Sequence, residues 1–271
     1  MYFEQLKTKL FADVPYPPEM CALMAQMRTW RQFCQLRSEI KELFAFPDHQ
    51  SLWQDPGYKR RKPDPIKKRD NKENFHFHSN YRALLRHYNL EKIVEEHHTL
   101  KALYQFIDQL HPAVMNLIEV IGKDLAKHVP GLPAELAKGR DLVVIRFCHY
   151  TPEPNDPILA AAHADRSGFT LHLYESRPGL ELFDLSGQWI EAPLNNKNTI
   201  VFTGYQFEVA TAGKLQRTWH RVIQQQPNTI DNRISVVVFV PFVDTATFPE
   251  QASAHDVTPA YIREFQSRGQ I

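Results

Sequence analysis

The segments DLVVIRFCHY (141–150), FTLHLY (169–174), LELFDL (180–185), QWIEAP (188–193), NTIVFT (198–203), RTWHRVI (217–223) and RISVVVFVPF (233–242) decide the fold. Each is short, rich in β-branched and aromatic residues, and bounded by Gly, Pro, Asn or Asp, as strands between turns are. They predict a mainly β C-terminal half, a sandwich or barrel with helices flanking it. Upstream, Met20, Leu23, Met24, Met27, Trp30, Phe33 and Leu36 recur at steps of three or four, which predicts one long amphipathic helix over 17–44. Helical spacing returns from Leu100 to Val129 as one or two helices, with Pro112 allowing a break or kink. Between them DPGYKRRKPDPIKKRDNKENFHFH (55–78) is cationic and Pro-rich, an exposed loop that regains structure at Phe75 and Phe77. The expected organisation is one domain over 1–271. It has a helix-rich part (1–135), a strand core (136–245) and a tail (246–271) that ends in a short helix, PAYIREFQ.

A chain of 271 residues with 43% hydrophobic content can bury a sizeable core. Its 32 Lys and Arg nearly cancel its 31 Asp and Glu, so no global field draws it to nucleic acid or an anionic membrane. The expected partner is a small molecule. No secretory signal opens the chain, and no apolar run reaches the roughly 18 residues of a membrane span. Cys21, Cys34 and Cys148 are scattered without a CxxC pair, against a disulfide framework or a structural zinc site. A cytoplasmic location is expected.

On a strand, residues two apart share a face, so His163 and Asp165 of the HAD motif can both reach a metal while Ala164 points away. His220, in the strand-like RTWHRVI, can complete two histidines and a carboxylate, a set that leaves positions open on octahedral iron(II). An HxD pair alone, in a chain with 13 histidines, equally fits a hydrogen-bonded surface pair. A second feature is independent of it. Arg233 and Ser235 share one face of a strand whose Val236, Val238 and Val240 suit the core. A buried guanidinium needs either an internal carboxylate or an anionic ligand. Tyr150, on the face shared by Arg146 and Cys148, can add a hydrogen bond.

In order, RFCHYTP, HADRSGFTLHLY, GLELF, GQW, GYQFEVATAG, HRV and RIS resemble the signature of the 2-oxoglutarate and iron(II)-dependent dioxygenases of the isopenicillin N synthase type. The likeness is clearest over 142–242 and weaker at DNKENFHF; the first 45 residues lack the usual opening strand of longer members. The resemblance implies a double-stranded β-helix, the jelly-roll or cupin-like core. It carries over His163, Asp165 and His220 as catalytic iron ligands, and Arg233, Ser235 and Tyr150 as binders of 2-oxoglutarate. The reaction implied consumes O2 and hydroxylates or desaturates a small molecule, with release of succinate and CO2. Phe75, Phe77, Arg166 and Tyr205 are the candidate substrate contacts, while His76, His78, His149 and His172 are read as structural or solvated. Cys148, His149 and Tyr205 depart from the family pattern, and the departures at His149, Arg166 and Tyr205 are expected at the cavity. Asp165 remains a carboxylate, which disfavours halogenation. The alternatives are an iron oxidase of the same fold that uses no oxoglutarate, a non-enzymatic cupin-like domain, and a zinc hydrolase, which lacks an HExxH helix.

Overall fold

The computed structural model describes residues 1–49, 54–61, 70–152, 156–224 and 232–244. In chain order they form α1 (Tyr2–Lys9), β1 (Phe11–Pro15), α2 (Pro18–Met24), α3 (Arg28–Cys34), α4 (Ser38–Glu42), β2 (Gly57–Arg61), β3 (Lys72–Phe77), α5 (Tyr81–His87), α6 (Glu91–Glu96), α7 (His98–Leu125) and α8 (Leu132–Lys138). There follow β4 (Val144–Tyr150), β5 (Ile158–Ala164), β6 (Phe169–Glu175), β7 (Leu180–Phe183), β8 (Trp189–Glu191), β9 (Asn198–Thr203), α9 (Tyr205–Ala210), β10 (Trp219–Ile223) and β11 (Arg233–Val240). The strands make two antiparallel sheets, β1-β9-β6-β11-β4-β3-β2 and β5-β10-β7-β8, the two-sheet jelly roll that the strand pattern and the resemblance imply.

Two-residue alternation sorts the large sheet into two chemically different faces. On β11, Ile234, Val236, Val238 and Val240 join the main core with Phe147 of β4, Phe75 and Phe77 of β3, and the apolar stripe of α7. The other face meets the small sheet over Cys148, Tyr150, Ile200, Phe202, Leu180, Leu182 and Val222. Polar side chains collect there, between the sheets.

The N-terminal half differs from the sequence reading in three ways and, of the one or two helices offered around Pro112, contains one. The single helix over 17–44 is three short ones, α2 to α4. Gln26 N bonds Leu23 O at 2.9 Å and Leu36 N bonds Phe33 O at 3.0 Å, tight turns that redirect the chain while Met20, Leu23, Met24, Met27, Trp30 and Phe33 all stay buried. Apolar spacing of three or four survives such turns, so it cannot report them. Helix α7 runs unbroken past Pro112; its buried face from Leu100 to Leu125 outweighs the missing hydrogen bond. The stretch read as a loop contains β2 and β3, paired from Gly57↔His76 to Arg61↔Lys72, because the side chains of β3 are buried on both faces. An opening strand does exist: β1 pairs with β9, Phe11↔Phe202 to Pro15↔Asn198. The tail over 246–271 lies outside the described residues, among which no helix is long and apolar enough to cross a membrane.

Candidate metal centre

His163 lies near the end of β5 and His220 on β10, directly opposite each other in register. Asp165 follows the last residue of β5, one step beyond the strand on which the sequence reading put it. A turn returns it to the site. Gly204 N donates to Gly168 O at 2.8 Å and Tyr205 N to Asp165 O at 2.8 Å. A Cβ on Gly204 would stand 2.2 Å from Ser167 O and 2.9 Å from Asp165 O, so only glycine lets the start of α9 press on this turn.

The donor atoms of His163, Asp165 and His220 all lie within 4.8 Å of one another. His163 Nε2 is 3.8 Å from one Asp165 oxygen and His220 Nε2 is 3.9 Å from the other. The Nδ1 atom of His163 faces Ala161 O at 2.8 Å and that of His220 faces Thr218 O at 3.3 Å. A carbonyl only accepts, so Nδ1 carries a proton on each ring, and Nε2 is the atom each ring turns toward Asp165. Burial, with His163 nearby, lowers the His220 pKa to about 4, which keeps that ring neutral at pH 7. Burial opposes ionisation of Asp165, but His220, His163 and the Thr170 hydroxyl, 2.6 Å from Oδ2, outweigh it and hold the carboxyl below its usual range. Two imidazole Nε2 atoms and an ionised carboxylate fit a divalent metal. His163 is 49% exposed, so the site opens to solvent on that side.

The triad borders a narrow cavity of about 50 Å³ between the sheets. Tyr150, Ser235, Thr170, His172, Lys72 and Arg146 line it from the large sheet. Lys72, Tyr150 and Arg233 form one cross-strand row, and Cys148, Ser235 and Glu175 the next. Arg233 is 2% exposed and has an internal carboxylate: Nη2 donates to Glu175, Nε donates to Arg177 O at 3.2 Å, and buried Nη1 has no partner among the described residues. Burial disfavours the Glu175 carboxylate, yet His172 and Arg233 lower its pKa overall.

Alternation separates the substrate candidates. Phe75 and Phe77 stack at 4.2 Å and face Phe33, Phe44, Tyr104 and Phe147, so they belong to the helix-side core. This corrects the sequence reading: even-numbered residues of β3 face the cavity side. Arg166 is exposed on the turn after Asp165, and Tyr205 is 42% exposed under the Arg217 guanidinium; neither borders the cavity. His149 likewise faces away from it. His172, read as structural or solvated, is a cavity wall. The alternation in FTLHLY pairs it with Thr170 and was the available signal, but nothing in one sequence says which face is hollow.

Cys34, Glu73 and His149 also converge among the described residues. Glu73 accepts from Lys41 Nζ at 2.7 Å and Tyr58 OH at 2.7 Å and faces His149 Nδ1 at 2.9 Å, while burial and Glu73 push the Cys34 thiol up. With its oxygens occupied and the thiol protonated, the cluster is an ion-pair network that ties α3 and α4 to β3 and β4.

Residues 140–241 match the 2OG-Fe(II) oxygenase superfamily model. A 1-aminocyclopropane-1-carboxylate oxidase from Persea americana is 28% identical over 167 residues, 59% of this chain and 50% of that protein. A mugineic-acid 3-dioxygenase from Hordeum vulgare is 31% identical over 150 residues, 54% of this chain and 43% of that one. The chain spans about half the length of the curated relatives it matches. Among solved structures, a full-length Neurospora crassa protein in complex with alpha-KG superimposes with TM-score 0.69 at 18% identity over 89% of this chain and 78% of that one. The Arabidopsis thaliana dioxygenase for auxin oxidation, as a 2-oxoglutarate complex, gives 0.62 at 17% over 90% and 87%.

Proposed function

We propose that this protein is a non-haem iron(II)- and 2-oxoglutarate-dependent dioxygenase that hydroxylates or desaturates a small organic molecule, releasing succinate and CO2. The observation that carries it is the convergence of two Nε2 atoms and one carboxylate within 4.8 Å beside a cavity. His163, Asp165 and His220 would hold iron(II), which supplies activation of O2 coupled to oxidative decarboxylation of 2-oxoglutarate. The protein's residues orient and neutralise. Thr170 fixes the Asp165 carboxylate, and the two backbone carbonyls fix the imidazole tautomers. Arg233 Nη1 and Tyr150, in the cross-strand row of Lys72, and Ser235 in the next row would take the far carboxylate of oxoglutarate. A cytoplasmic enzyme with three free thiols, Cys21, Cys34 and Cys148, agrees with this reading.

One observation favours a second reading, an iron oxidase that consumes no oxoglutarate: Glu175 already neutralises Arg233, and several relatives are 1-aminocyclopropane-1-carboxylate oxidases. Anaerobic addition of 2-oxoglutarate to the iron(II)-loaded protein separates the two. The first predicts a visible charge-transfer band and slow succinate formation once O2 enters. Absence of both, with iron bound, refutes it.

A further inference from the structure

We infer that the prime substrate of this centre is an organic acid whose carboxylate is received by Arg146. The inference rests on the dioxygenase reading only in needing a metal at the triad. Its basis is the charge pattern around the cavity. The buried cations Lys72, Lys41 and Arg233 each have a carboxylate partner, in Asp70, Glu73 and Glu175. Arg146, which lines the cavity, has none among the described residues. Its hydrogen bonds go to neutral groups: Nε donates to His76 Nε2 at 2.8 Å and Nη2 to Gln54 Oε1 at 3.0 Å. His76 Nδ1 faces Asp55 O at 2.9 Å, so that ring is the neutral tautomer and accepts from Arg146. Asp165 is no substitute. It forms no ion pair with Arg146 within 4 Å, Thr170 bonds one of its oxygens, and both Nε2 atoms face it.

Arg146 is half-buried at the cavity wall, where a guanidinium without a counter-charge is disfavoured and its planar fork suits a carboxylate. Nη1 has no hydrogen-bond partner among the described residues, and the Arg146 guanidinium lies 4.4 Å from the Phe239 ring centre, which fixes its plane. Position also separates Arg146 from the oxoglutarate anchor. Arg146 stands opposite Val237 and Tyr150 opposite Arg233, four residues along the same strand, roughly 13 Å at about 3.3 Å per residue. Asp165, bonded to Thr170, lies toward the Arg146 end, since Thr170 is opposite Phe239. Arg146 and Tyr150, the cross-strand neighbour of Arg233, line the cavity four residues apart, so a co-substrate held at the Tyr150 end leaves Arg146 for the prime substrate. Phe239, Val237 and Phe202 offer apolar walls to the rest of an acid.

The test uses the full chain loaded with manganese(II) and 2-oxoglutarate, which bind without turnover. Its probes are the matched pairs phenylacetate with phenylacetamide and cyclohexanecarboxylate with cyclohexanecarboxamide. Paramagnetic relaxation of probe protons reads binding near the metal. The acids should bind better than the amides. Arg146→Met and Arg146→Gln should weaken the acids about tenfold to a hundredfold, the worth of a charged hydrogen bond, and leave the amides and manganese affinity unchanged. Equal binding of acids and amides, no relaxation of either acid, or an acid preference that survives in whichever neutral variant folds, overturns the proposal. Failure of manganese to bind the wild type, read by electron paramagnetic resonance, overturns it too, and marks the metal-centre reading itself as the step that failed.

Discussion

Replacing Glu175 by Gln should make the protein less stable and bind oxoglutarate more tightly. In the wild type the Arg233 guanidinium is 2% exposed, with Nη2 on the Glu175 carboxylate, Nε on a carbonyl and Nη1 unpartnered. A ligand carboxylate finds one free edge. Gln keeps the shape and an acceptor but removes the charge, so the folded state loses a charge-assisted bond of about 2 kcal/mol. At roughly 2–4 °C per kcal/mol for a chain of this size, the midpoint should fall by about 4–8 °C. The guanidinium, now lacking its internal anion, gains more from an incoming carboxylate. With two edges available, affinity for oxoglutarate should rise about tenfold, or ~1.4 kcal/mol. Thermal unfolding with and without oxoglutarate, and calorimetric titration of manganese-loaded protein, measure both. The Glu175 pKa is lowered in the fold, so the contribution of this pair is present above the unfolded carboxyl pKa and is lost as pH falls through the folded one. Wild type and variant should converge there. A folded variant whose oxoglutarate affinity is unchanged or weaker would show that Glu175 does not compete for Arg233.

Asp165→Asn should reduce iron(II) affinity by at least about a hundredfold while the fold survives, since the amide cannot supply the charge that His163 and His220 face; equilibrium metal titration reads it, and near-normal affinity would remove Asp165 from the ligand set. Gly204→Ala should also lose metal, though it touches no ligand side chain, because its Cβ would stand 2.2 Å from Ser167 O and push the turn that carries Asp165; unaltered metal affinity would mean the turn can yield. Acid unfolding should show a Glu73 signature. Burial opposes its charge, but His149, Lys41 and Tyr58 lower its pKa from 4.5 to about 2, so its stabilisation holds above about pH 4.5 and drains away between there and about 2. Glu73→Gln should flatten the midpoint-versus-pH curve in that window, and an unchanged slope counts against the network.

The strand half was legible because its evidence is local. Alternation in RISVVVFV sorts Arg233 and Ser235 from Val236, Val238 and Val240, and the structure keeps that sorting. The helical half was legible in composition and not in continuity. The stripe from Met20 to Leu36 marks a buried surface truthfully, yet a tight turn after Leu23 shifts register by less than the spacing resolves. Strand β3 escaped for another reason. With Lys72, Glu73 and His76 all buried, a polar sequence occupies a fully covered strand, so hydropathy reports the opposite of the burial that ion pairs and hydrogen bonds make possible for these three.

The site shows where single-sequence reading must stop. The convergence of His163, Asp165 and His220 is identifiable from residue type and order, because a two-histidine, one-carboxylate set restricts the choice. The groups that tune them are not. Glu175 is three residues from His172, on a strand where strict alternation would put the two on opposite faces. A register irregularity between Val236 and Val237 accompanies the approach of His172, a cavity wall, to within 3.5 Å of Glu175, the carboxylate that pairs with Arg233. A bulge exchanges inside for outside within one residue, and no periodicity announces it. An internal counter-ion was one of the two fates open to a buried Arg233. Choosing between them required the register, which leaves Arg146, opposite Val237 and four residues along β4 from the partner of Arg233, as the cation without a carboxylate partner among the described residues, on the cavity that His163, Asp165 and His220 border.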